Sequence, residues 1–98
     1  SPEKPAQPID LAEVSALVER IELDLARAKT GSADVQALRD EVEALRSALQ
    51  QPGGPPEAHV NDRLTNIHRI LDNAVDVVID DAIRVADYVA RIGRMLGM

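Results

Sequence analysis

All six prolines of this chain fall in two short clusters. Pro2, Pro5 and Pro8 stand at the front, and Pro52, Pro55 and Pro56 stand in Gln-Pro-Gly-Gly-Pro-Pro. Proline has no backbone N–H and its ring clashes inside a helix. The two proline-free arms, 9–51 and 57–98, are therefore where long helices can form. Each would reach about 60 Å as one unbroken helix. Residues 1–9 read as an extended tether, 10–98 as a single helical domain, and 51–57 as the loop between the arms.

The first arm starts with a capping-box signature, Asp10 followed three residues later by Glu13. Leu11, Val14, Val18, Ile21, Leu25 and Ala28 then recur at spacings of 3 and 4, the narrow stripe of a coiled-coil seam. Thr30-Gly31-Ser32 interrupts it. A left-handed Gly31 would end the first helix, and Ser32 would cap the second, with Asp34 in its first turn. Val35, Leu38, Val42, Leu45 and Leu49 make a second stripe of the same spacing. A helix running straight through Gly31 costs only about 1 kcal/mol. The step from Ala28 to Val35 is also seven residues, so the pattern stays nearly in phase. The Thr-Gly-Ser cluster favours the break, and helices are expected near 10–29 and 33–51.

The second arm has no glycine before Gly93 and reads as one long helix, 58–96. Leu64, Leu71, Val78, Val85 and Ile92 recur every seven residues. Val60, Ile67, Ala74, Asp81, Tyr88 and Met95 hold the complementary position, with further aliphatics beside them. Two helices of about 18 residues would cover only about half of such a helix. A broad uncovered aliphatic face is an association site, and a second copy is the simplest cover. The expected fold class is all-α: a helical bundle, or antiparallel coiled-coil-like hairpin, with one long C-terminal helix. The expected function is an oligomerisation or protein–protein docking module, a homodimer by first choice. Its expected interface is Leu64, Ile67, Leu71, Ala74, Val78, Val85, Tyr88, Ile92 and Leu96. The alternatives are a heterologous adaptor, or secretion-type chaperone, that holds a client helix on the same face.

Composition removes other classes. The net charge is −6, from 17 acidic against 11 basic side chains, and Tyr88 is the only aromatic. Such a chain lacks both the positive footprint and the stacking surfaces of a nucleic-acid binder. Without cysteine there is no disulfide, no thiolate metal site and no thiol nucleophile, and the compartment stays open. The most apolar stretch, 74–92, carries Asp76, Asp80, Asp81, Arg84, Asp87 and Arg91, too many charges for a bilayer core. The sequence opens on Ser1 and reads as a processed, trimmed or excised product.

Candidate chemistry is sparse. His68, Asp72, Asp76, Asp80 and Arg84 follow one another at four-residue spacing and share a helical face. His68 with Asp72 or Asp76 is a weak metal signal; a solvated face with an Asp80–Arg84 pair is the plainer reading. Asp81 interrupts the apolar stripe, and if buried it needs Arg84 or the Tyr88 hydroxyl as partner. Otherwise helix rotation carries it to the rim. Ser15, Ser32 and Ser47 have no histidine within the same short helix. Neither His59 nor His68 follows a glutamate at three residues, and no phosphate-binding loop is present. No catalytic residue, metal ligand or cofactor is expected. Near the C-terminus, Arg84, Arg91 and Arg94 edge the stripe Val85, Val89, Ile92 and Leu96. An anionic membrane surface is a further alternative, weakened by the lack of Trp and Phe.

Overall fold

The first helix, α1 (Leu11–Arg27), begins where the capping signature places it. In the computed structural model, which describes residues 9–29, 31–54, 57–73 and 82–97, the Asp10 carboxylate accepts the Ala12 and Glu13 N–H groups at 3.0 and 3.3 Å. These are two of the donors that a helix start leaves unpaired. The far end of α1 differs from expectation. Ala28 is extended (φ −66°, ψ 132°), and its N–H donates to the Leu25 carbonyl. The Arg39 guanidinium, reaching from the second helix, donates to that same carbonyl at 2.8 Å. With the carbonyl satisfied in this way, no left-handed glycine is required. Gly31 is not among the glycines of positive φ.

Ser32 then caps α2 (Ala33–Leu49), its Oγ accepting the Val35 N–H at 3.2 Å. The chain reverses through Gln51–Gly54, where the Gly54 N–H donates to the Gln51 carbonyl at 3.1 Å. Gly53 and Gly54 sit at φ 83° and 90°, the region open to residues without a Cβ. Next comes α3 (Glu57–Asn73), and last the shorter α4 (Val85–Met95).

The chain is thus an all-α bundle, with four helices and no strand among the described residues. The single helix expected over 58–96 is divided. Arg84 is non-helical (φ −84°, ψ 69°), and Val85 N–H bonds to Ile83 two residues back, where a continuing helix would need the residue four back. The Asp24 carboxylate on α1 supplies a partner for the freed start of α4. Ala74, Asp76, Val78, Asp80 and Asp81 lie outside the described residues.

Consecutive helices are the principal neighbours. The core is Val14, Leu17, Ile21 and Leu25 from α1, and Val35, Leu38, Val42 and Leu45 from α2. To these are added Val60, Leu64, Ile67 and Leu71 from α3, and Tyr88 and Ile92 from α4, each no more than 4% exposed. Leu11, expected in the seam, is 42% exposed, while Leu17, which the narrow stripe omits, is buried. The buried face of α1 is wider than a two-stranded seam because this helix meets α2 on one side and the start of α4 on the other. At the surface, Arg46 grips both oxygens of Glu22 across α1 and α2. Arg63 of α3 pairs with Glu41 of α2 at 3.1 Å. Exposed pairs of this kind contribute about 0.2–1 kcal/mol each.

Five residues of the expected interface, Leu64, Ile67, Leu71, Tyr88 and Ile92, are therefore inside the chain's own core. Val85 and Leu96 are half-buried against it. The single long helix from which that interface was expected is divided, and Ala74 and Val78 lie outside the described residues.

A candidate contact groove between α1 and the start of α4

Val14, Leu17, Ile21 and Asp24 follow one another at spacings of 3, 4 and 3, an inward stripe of α1 with an acid in its fourth place. Asp24 is 6% exposed and is the buried charged residue of the described core. Its Oδ2 accepts the Arg84 backbone N–H at 3.4 Å and the Tyr88 hydroxyl in a short hydrogen bond. The arrangement follows from what α4 lacks. Its N-cap, Arg84, has no side-chain acceptor, and its side chain makes no capping bond. A helix start carries unpaired N–H groups and partial positive charge, so an anion from another helix stabilises it. Burying a carboxylate is costly unless hydrogen bonds replace its water, and here two do.

Tyr88 answers from the other side. It is 1% exposed. Burial first, and then the hydrogen bond to Asp24, push its phenol above the ordinary tyrosine range, so it stays protonated as the donor. The sequence names Arg84 and the Tyr88 hydroxyl only as partners that Asp81 would need if it were buried; in the structure their carboxylate partner is Asp24, and Asp81 lies outside the described residues. The signal that would have found Asp24 is the 3-4-3 stripe of α1.

This bridge forms the floor of a groove of about 420 Å³. Ala16, Glu19, Arg20, Leu23 and Arg27 of α1 line it, together with Arg84. Leu23 is 63% exposed, and Leu11 and Leu23 are the large apolar side chains left open among the described residues. Neither Arg20 nor Arg27 has an ion-pair partner among the described residues. The groove offers guanidinium donors and an aliphatic knob, which suits a polar-and-apolar contact surface. It presents no nucleophile beside a general base.

The other candidates are dispersed. His68 of α3 lies half-buried with its Nε2 toward Gly93 of α4, and Asp72 is exposed. No group of three or more metal-binding side chains occurs among the described residues. Ser15 and Ser47 are exposed on separate helices, and Ser32 serves as a cap. On α4, Ile92 is buried, and Val85, Val89 and Leu96 rest partly against the core. Arg91 pairs with Asp87 at 3.2 Å. No helix among the described residues is long and apolar enough to cross a membrane. No family model, curated protein or solved structure matches the chain.

Proposed function

We propose that this chain is a self-associating helical docking module whose contact face is the outward side of α1 along the α1–α4 groove. The observation that carries the reading is Leu23, 63% exposed on a chain whose other large aliphatics are, Leu11 apart, turned inward among the described residues. A single exposed leucine is ordinary. Here it stands among exposed Ala12, Ala16 and Ala26 on one face, with Arg20 and Arg27 beside it. Small side chains let another helix approach closely, and flanking charges set which helix it is. The association expected on the third helix is thereby moved to the first. No catalytic residue, metal or cofactor enters the reading.

The test is the solution mass of the purified chain, by sedimentation equilibrium from micromolar to millimolar concentration. A concentration-dependent rise toward twice 10.6 kDa supports the proposal. A constant monomer mass over the whole range removes self-association and leaves a heterologous acidic helix as the fitting partner for the arginines.

A further inference from the structure

Three guanidiniums and a buried carboxylate line one groove without pairing. Arg20 stands four residues before Asp24 on α1 and Arg27 three after it, the spacings at which opposite charges ordinarily meet along a helix. Arg84 joins them from the start of α4, and its charge acts on the Tyr88 hydroxyl at the floor. No ion pair ties any of the three to Asp24 or to Glu19. Asp24 is itself only half engaged. The Arg84 N–H and the Tyr88 hydroxyl both bond to Oδ2. No buried side-chain oxygen of the described residues is left without a partner, so Oδ1, which takes neither bond, opens onto the groove. From this separation of charges we infer that the groove binds a small amino dicarboxylate, whose ammonium donates to Asp24 Oδ1 and whose carboxylates are held by Arg20, Arg27 and Arg84. The inference goes beyond the self-association reading and holds for a single chain.

Charge and size select that class. Three guanidiniums against the Glu19 and Asp24 carboxylates leave the groove with one positive charge, on a chain of net charge −6. Two carboxylates and one ammonium supply the single negative charge that balances it. A plain dicarboxylate would set an anion against Asp24 with no donor for Oδ1, and a plain amine would meet the three arginines; like charges of this kind oppose binding. A guanidinium presents a planar fork that matches a carboxylate through two hydrogen bonds. The volume of about 420 Å³ lies within the ordinary range of small-molecule sites, roughly 300–1,000 Å³. Ala16 and Leu23 give the methylene chain of such a ligand an apolar wall.

Tyr88 is the only aromatic residue and lines the groove, so tyrosine emission reports binding there. Titration of micromolar protein with L-glutamate at constant ionic strength is expected to change that emission and to saturate at millimolar concentration or below. Glutarate, which lacks the ammonium, and γ-aminobutyrate, which lacks one carboxylate, are each expected to bind about tenfold more weakly. Arg20→Gln and Arg27→Gln, both at exposed positions, are expected to weaken L-glutamate by a similar factor with the far-UV circular dichroism unchanged. Glutarate binding as tightly as L-glutamate would show that Asp24 takes no part and overturn the inference. An affinity indifferent to both arginine variants would overturn it too, as would the absence of any saturable change with L-glutamate. The solution mass is a separate readout. A chain that stays monomeric and binds L-glutamate sustains this inference and removes self-association, and a dimer that does not bind it does the reverse.

Discussion

Replacing Tyr88 by Phe removes one oxygen and keeps the ring that fills the core beneath α1. The lost group is the donor of a buried hydrogen bond to the Asp24 carboxylate. Hydrogen bonds to charged acceptors contribute about 1.5–3 kcal/mol, and the variant also leaves that carboxylate with only the Arg84 N–H, at 3.4 Å. Unfolding should therefore be easier by about 2 kcal/mol. For a domain of this size that lowers the melting midpoint by about 10 °C. Asp24→Ala strands both the hydroxyl and the N–H, and should cost about 2–5 kcal/mol. The decisive quantity is the double variant. Once Asp24 is gone, the hydroxyl has no partner to lose, so Tyr88→Phe should then cost almost nothing. The two effects should fall short of adding by about 1.5–3 kcal/mol. Urea unfolding followed by far-UV circular dichroism measures all four proteins, with no need of the tyrosine signal. If the two costs add to within about 0.5 kcal/mol, the bridge is a coincidence of position and Asp24 does not hold the start of α4.

The same bridge makes a spectroscopic prediction, since Tyr88 is the only aromatic and its absorbance reports one group. Its folded pKa lies above the ordinary value of about 10, so its contribution to stability is complete below that pH and is lost as pH rises through the folded value. Tyrosinate absorbance should stay low near pH 10 while the fold persists, and stability should decline above it in the parent but not in Tyr88→Phe. Ordinary titration of the folded protein near pH 10 would refute this. Leu38→Ala, at a fully buried position of α2, should cost about 2–5 kcal/mol in urea unfolding. Leu23→Ala should shift stability by no more than about 0.5 kcal/mol, because its side chain is already in water. Ser32→Ala should cost about 1 kcal/mol by stripping the Val35 N–H of its acceptor; no measurable change would mean that water replaces the cap freely.

The helices that were legible in the sequence are those whose ends are marked locally. Asp10 before α1, Ser32 before α2 and the glycine turn after it are written within a few residues of where they act. The division between α3 and α4 is not marked in that way. The seven-residue recurrence of Leu64, Leu71, Val78, Val85 and Ile92 runs through it unbroken, as it would in one continuous helix. What favours the break is Asp24, sixty residues from the N–H it accepts, and no window of sequence contains both. The candidate site was hidden for a related reason. A narrow 3-4 reading of α1 selects Val14, Val18, Ile21 and Leu25. It passes over the neighbouring row in which Leu17 is buried and Asp24 meets the start of α4, and the opposite row in which Leu23 faces water.

Because the bundle is built from neighbours in chain order, most of its packing closes over short loops. The tie between Asp24 and the start of α4 spans nearly two thirds of the polypeptide. Short closures are entropically cheap and fast, and long ones come late. Assembly should zip forward from either hairpin and finish at this clasp, and opening should begin there. Amide protons of Val85–Met95 would then exchange with solvent ahead of those in the middle of α2, marking the last helix as the part that comes loose before the whole melts.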